Sequence, residues 1–290
     1  MKEQTQYSLG LDIDNQEHKT KELQKILLKI LMEFDRIARK NNIPYALCYG
    51  SALGIVNYQG FVPWDDDIDI AIDYFDINRL IEALKKDLSE EFYFDCYEDD
   101  KDYNVLIPTF KIRIRNTYIK EVNDWSLPNR CKKGNGVFID IVALMGVPKC
   151  KHEHIKLIRY SKLRSIRYIF LDAFLHREPK KLKEQLKAHE EKCANKYKDS
   201  EYISQTIIIP YQRMGKENIS YPKDVLYPLK EYEFEGHKFY SFNDVNKYIE
   251  LTYGKNSFMK EVNGELIDPY PLKKRKKKHI KQYSLTREIN

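Results

Sequence analysis

Asp65, Asp66, Asp67 and Asp69 place four carboxylates in five positions, inside the run Trp64-Asp65-Asp66-Asp67-Ile68-Asp69-Ile70. Like charges held this close are unfavourable unless a cation sits among them. Oxygen-only donors suit a hard ion, Mg2+ or Mn2+. On a strand over 67–72, Asp67 and Asp69 leave the same face, because side chains alternate with a period of two. Asp65 joins that face if the strand begins early. Asp66 points the other way by the same parity and reads as structural. Acidic runs are commonly solvated loops. This one lies between Phe61-Val62-Pro63-Trp64 and Ile70-Ala71-Ile72, which carry it into a core.

A further acid completes the pattern. Asp140 is embedded in Val137-Phe138-Ile139-Asp140-Ile141-Val142. A buried carboxylate without a partner is costly, and a metal shared with Asp67 and Asp69 would supply one. Upstream, Gly50-Ser51 reads as a strand-to-helix turn, where backbone N–H groups at a helix N-terminus can hold an anion such as a phosphate. Phe110-Lys111-Ile112-Arg113-Ile114-Arg115 alternates, so Lys111 and Arg113 share a face and could clamp phosphates. The competing reading is an edge whose wet side carries the cations. Trp64 reads as core or as a stacking surface.

The elements that must position these groups follow from periodicity. Apolar residues at Leu23, Ile26, Leu27, Ile30, Leu31, Phe34, Ile37 and Ala38 predict a helix over 22–40. Residues 1–18 are polar and read as loosely ordered. A short strand over 45–49, a helix over 52–58 and the 67–72 strand come next. Asp76 can cap a helix carrying Ile77, Leu80, Ile81, Leu84 and Leu88. Further strands are expected over 92–96, 110–115, 118–122 and 137–142, with a loop over 123–135 and a short apolar piece over 207–210. Residues 152–197 have helical spacing. Residues 232–240 read as a hairpin turning at Gly236, and a last helix ends at Gly254.

The expected organisation is an α/β (α+β) fold. A catalytic unit over 20–150 carries a mixed sheet flanked by helices. A helical and hairpin portion over 151–272 packs on it, and a basic tail occupies 273–290. The 290 residues include 42% hydrophobic and 32% charged side chains, enough for a core in water. No run approaches the ~18 apolar residues of a spanning helix, and the first residues show no secretion-signal pattern. The expected location is the cytoplasm, compatible with peripheral contact at the inner face of the membrane. Five scattered cysteines fit free thiols in a reducing compartment. Cys150, His152 and His154 do not have the spacing to close a zinc site alone. Net charge is +6, and residues 273–281 hold seven Lys or Arg, leaving the rest of the chain at −1. The basic balance therefore belongs to the tail.

The order of Gly-Ser turn, Asp-x-Asp strand and later Asp strand resembles the polymerase β-like nucleotidyltransferase superfamily. The stretch YGSALGIVNYQGFVPWDDDIDIAI is closer still to the LicD family, which includes the fukutin-type transferases. PTFKIRIRNTYIKE, GVFIDIVALMGVP and DVLYPLKEYEFEGHKFYSFNDVNKYIELTYGKNSF resemble further family segments, so the resemblance runs from about Leu23 to His279. Arg115 stands where an acidic residue is common in the family, and residues 149–205 match no family pattern. The resemblance implies an enzyme that moves a phospho-alcohol, usually phosphocholine, from a CDP-activated donor such as CDP-choline to a hydroxyl of a cell-surface glycan, glycolipid or teichoic acid. It implies Asp67, Asp69 and Asp140 as metal-binding catalytic acids and Asp65 as a further ligand. It implies Gly50, Ser51, Lys111 and Arg113 at the donor, with Mg2+ or Mn2+ as cofactor. Two other readings remain open: a true nucleotidyltransferase moving NMP from an NTP with the same acids, and a nucleic-acid binder acting through the tail. A nucleic-acid partner is not expected, because such charge runs are more often solvated or substrate-facing.

Overall fold

The structure is a computed structural model that describes residues 4–8, 13–106, 110–121, 133–205, 220–263, 265–267 and 280–286. The lysine run at 273–278, Cys131, most of the 123–135 loop and the apolar piece at 207–210 lie outside the described residues.

In chain order the first half comprises β1 (Gln4–Ser8), α1 (Ile13–Lys40), β2 (Tyr45–Leu47), α2 (Tyr49–Tyr58), β3 (Asp69–Asp73), α3 (Ile77–Asp87), β4 (Phe92–Cys96), β5 (Phe110–Ile114), β6 (Thr117–Glu121) and β7 (Phe138–Gly146). The second half comprises α4 (Lys151–Ile169), α5 (Lys180–Lys196), β8 (Tyr202–Gln205), β9 (Tyr221–Pro222), α6 (Lys223–Leu226), β10 (Lys230–Phe234), β11 (His237–Ser241), α7 (Val245–Tyr253), β12 (Lys260–Val262), β13 (Glu265–Ile267) and β14 (Ile280–Thr286).

The fold is α/β, a mixed sheet flanked by helices, as the pattern predicts. Its main path runs β10-β11-β2-β3-β7-β5-β4. The centre is the parallel pair β3 and β7, and β2 and β5 flank it antiparallel. The far half of β7 pairs with β8, which pairs with β9. The hairpin of the later portion thus extends the same sheet that carries the acids, joining through Ser241 opposite Leu47.

The α1 stripe explains why the helix forms and where it goes. Leu23, Leu27, Ile30, Leu31, Phe34 and Ile37 are fully buried against the sheet. Burial of each is worth ~2 kcal/mol, far more than differences in helix propensity. The helix starts at Ile13, nine residues before the stripe predicts.

The expectation of a loosely ordered 1–18 is corrected: Gln4–Ser8 is a strand. Its partner is β14, which also pairs with β6, giving a three-stranded sheet β1-β14-β6. Part of the region expected as a tail is therefore built into the fold. Tyr283 of β14 is fully buried in the main core, and its hydroxyl donates to the Lys19 carbonyl at 2.8 Å.

Candidate functional site

The strand that begins the site starts at Asp69, two residues later than parity assumes. Residues 65–68 are irregular, so alternation does not set their directions. Asp65, Asp66 and Asp67 each offer a carboxylate oxygen within 4.8 Å of the others. This corrects the expectation that Asp66 points away: it is 1% exposed, yet joins the cluster.

The two downstream acids are brought together by register. Asp69 lies directly opposite Asp140 across the parallel β3–β7 pair. The Asp140 N–H also donates to the Ile68 carbonyl at 2.9 Å. Burial pushes the Cys48 thiol well above the usual range, and the charges of Asp69, Asp140 and Asp67 add to the rise. Register thus sets Asp69 beside Asp140, while the acids whose oxygens come within 4.8 Å of one another, among the described residues, are Asp65, Asp66 and Asp67.

Gly50 and Ser51 sit within the first turn of α2, which begins earlier than the expected 52–58. The Ser51 hydroxyl accepts from the Asp69 N–H at 3.1 Å, tying α2 to the acid strand. A Cβ on Gly50 would lie 2.4 Å from the Asp65 carboxylate, so glycine leaves the room that Asp65 occupies beside the first turn of α2. Gly50→Ala must push Asp65 aside. Transfer should fall by about 10- to 100-fold, the scale of a misplaced group, with melting nearly unchanged. Comparing kcat and melting of Gly50→Ala against wild type checks this, and equal kcat would remove Asp65 from the working geometry.

Lys111 and Arg113 are both fully buried, which overturns the wet-edge reading of β5. Lys111 lies opposite Asp140 in register. Its ammonium donates to Asp140 Oδ1 at 2.8 Å, stands 3.5 Å from Glu121 and lies 3.3 Å above the Phe138 ring. Burial pushes the Asp140 carboxyl up to about 6 against the lowering pull of Lys111, while Glu121 and Asp67 push it further up. The Asp140 side chain is 15% exposed, so it is deep but open to solvent on one side. Arg113 is held by Asp95 at 2.8 Å and by the Asn135 side chain and Gly136 carbonyl, with its guanidinium over the Phe138 ring. The structure thus places Lys111 at the acids and Arg113 in a neighbouring buried network.

Several positioning groups were not legible in sequence. Gln24 of α1 donates to the Val62 and Asp65 carbonyls at 3.1 and 2.9 Å and pins the acidic loop. Its only signal is a polar residue set within an apolar stripe. Glu235, at the hairpin tip, accepts from the Phe61 N–H at 2.9 Å. A group of tyrosines borders the acids. Tyr49 takes a left-handed φ of 46°, its N–H meets the Tyr248 hydroxyl at 3.2 Å, and the Tyr221 and Tyr248 rings lie 4.9 Å apart. Burial raises the hydroxyls of Tyr49, Tyr248 and Tyr253 well above the phenol range, and Asp69 adds to the rise at Tyr49 and Tyr253. Tyr253 is 41% exposed overall, and the charges of Asp69 and Asp65 act on its hydroxyl. Trp64 is half-buried and meets Tyr58 edge-on at 6.2 Å.

A cavity of about 260 Å³ lies at the other end of β3 and β7, bordered by Asp73, Leu144, Lys223 and Tyr227. Its lining reaches Ala71, two residues of strand and roughly 7 Å from Asp69.

Residues 42–143 match the family described as LicD/FKTN/FKRP, nucleotidyltransferase domain. That span contains Gly50, Ser51, all five clustered acids, Lys111 and Arg113. The lipopolysaccharide cholinephosphotransferase LicD of Haemophilus influenzae is 25% identical over 252 residues, covering 81% of this chain and 89% of that protein. An uncharacterized protein of Rickettsia prowazekii, RP689, is 40% identical over 83 residues, 29% of this chain and 30% of that protein.

Proposed function

We propose that this chain, a LicD-family, LicD-type transferase, moves a phospho-alcohol group, phosphocholine foremost, from a CDP-activated donor to a hydroxyl of a cell-surface glycan or glycolipid. The observation that carries the reading is the carboxylate cluster Asp65, Asp66 and Asp67 leading into Asp69, which lies opposite Asp140 on the parallel strand and is tied to the first turn of α2. The activity of the Haemophilus relative, named for lipopolysaccharide and phosphocholine, supports the choice of group and acceptor.

The donor set fits a hard divalent cation: half-buried carboxylates only, crowded enough that like charge adds to the rise at Asp140. Asp67, Asp69 and Asp140 would hold it, with Asp65 alongside. When bound, Mg2+ or Mn2+ would supply charge neutralisation at the donor's phosphates. The chain's own groups do the rest. The α2 N-terminus at Gly50 and Ser51 faces the donor phosphate with backbone N–H groups. Lys111 holds Asp140 in place. Asp140, partly open to solvent, takes the proton of the attacking hydroxyl. The tyrosines beside Asp69 and Asp65 offer aromatic faces to a quaternary ammonium head.

A donor screen tests the reading. Purified protein with Mg2+, an acceptor glycan and CDP-choline should release CMP and label the glycan. Other CDP-alcohols in the same screen identify the head group. Consumption of ATP or CTP with pyrophosphate release, and no CMP from any CDP-alcohol, would assign it instead to NMP transfer.

A further inference from the structure

Helix α4 is buried along one side and carries large apolar side chains on the other. His154, Ile158, Ser161, Ser165 and Tyr168 recur at helical spacing and are buried against the body. On the opposite side, Leu163, Ile166 and Phe170 are 69%, 53% and 53% exposed. A π-helical turn over Phe170–Phe174 continues the helix and stacks the Phe170 and Phe174 rings at 5.8 Å, with Phe174 67% exposed. Leu175 follows, also exposed. A surface helix normally places charge on that arc. An apolar stripe of this size on an outer face marks an interaction surface.

The charges identify the partner. Lys156, Arg159, Lys162 and Arg167 are interspersed with or flank the stripe, and α4 has Glu153 as its one acid. Arg177 and Lys181 follow the tip, with Lys180 between them paired to Asp102 and Glu178. Large apolar side chains flanked by cations are the signature of a helix lying in the interface of an anionic membrane. A second copy of this chain fits poorly, because a two-fold contact on this face would set these cations against their own copies.

We propose that α4 and its π-helical tip dock the protein on an anionic phospholipid bilayer. Leu163, Ile166, Phe170 and Phe174 enter the acyl boundary, and Arg159, Lys162 and Arg167 meet the headgroups. No described helix is long and apolar enough to cross a membrane, so the contact is peripheral. The proposal stands apart from the transfer reading, since vesicle binding needs no catalysis.

Flotation of the full chain with vesicles of phosphatidylcholine alone, or with added phosphatidylglycerol, tests it. Wild type should float with the anionic vesicles, and salt should weaken binding. Replacing Leu163, Ile166, Phe170 and Phe174 together by Ser should abolish flotation. Changing Arg159, Lys162 and Arg167 to Gln should weaken it on the order of 100-fold. A Phe170→Trp protein, which keeps an aromatic ring in place, should gain quenching by brominated acyl chains. The proposal is overturned if wild type floats with neither vesicle, or equally with both, or if the four-Ser variant, melting like wild type, floats as well as wild type does. A wild-type dimer that the four-Ser variant converts to monomer, without vesicle binding, would give the face to a second copy.

Discussion

Asp140→Asn should lose transfer by about 10³-fold if the proposed function holds, the scale of removing one charged group from a site that stabilises transferring phosphate. The same change also unsettles the fold, so the two effects must be separated. Asparagine cannot neutralise Lys111, which is fully buried and bonded to Asp140. Removing one partner of a buried ion pair costs about 3–5 kcal/mol. Glu121, 3.5 Å from the ammonium, and the partial exposure of Asp140 bring that toward the low end. The double variant Asp140→Asn with Lys111→Met removes the stranded charge. It should recover most of the melting temperature and none of the transfer. Steady-state rates with CDP-choline and Mg2+, beside thermal melts, read both. If the double variant regained transfer, Asp140 would serve only as the counter-ion of Lys111.

The second large effect is on stability. Arg113→Leu should destabilise the fold by about 3–5 kcal/mol, lowering Tm on the order of 10 °C. The guanidinium is the largest fully buried side chain among the described residues. It joins Asp95, Asn135 and the Gly136 carbonyl, and so holds β4, β5 and the chain entering β7 together. Burial already raises the Asp95 carboxyl, and Arg113 pulls it back. Without Arg113 the native pKa rises further while the unfolded value stays. The native state then binds more protons than the unfolded one above the ordinary carboxylate range. Its stability falls as pH rises, so the deficit should be larger near pH ~7.5 than near pH ~5. Melts of wild type and variant at both values check the sign. A phosphate clamp would behave otherwise, raising the donor KM and leaving Tm within ~2 °C of wild type. That outcome would return Arg113 to the donor.

What was legible in sequence was what periodicity and chemistry can carry. The α1 stripe, the Asp69 strand, the apolar strand around Asp140 and the hairpin turning at Gly236 each announce a buried face or a turn locally. Asp140 could be paired with Asp69 because a carboxylate within an apolar strand needs a partner. Register then placed the two side by side. The failures have physical causes. Parity misdirected Asp66 because the chain between Pro63 and Ile68 is irregular, and alternation holds only within a strand. The alternation of β5 suggested a wet side because sequence does not show what covers a face. Phe138, Tyr93 and the segment around Asn135 cover it. Gln24 and Glu235 act through backbone carbonyls and N–H groups far away in sequence, which no local pattern encodes. The β1–β14 pairing is the extreme case, since neither strand has a periodic signal and each needs the other.

That pairing has a consequence for how the protein is made. Tyr283 fills a place in the core that α1 helps to build, and Ile280 lies opposite Glu121, beside Lys111. Residues 13–146 leave the ribosome long before Tyr283 does. Until then, the α1 core lacks that side chain, and β1 and β6 expose their edges. A nascent chain waits in that state for as long as the intervening sequence takes to translate, at about 5–20 residues per second. Contacts across more than 270 positions also slow closure. Completion of the catalytic fold is thus timed by translation, and stalling before codon 283 would leave a chain with its acids assembled and its core still open.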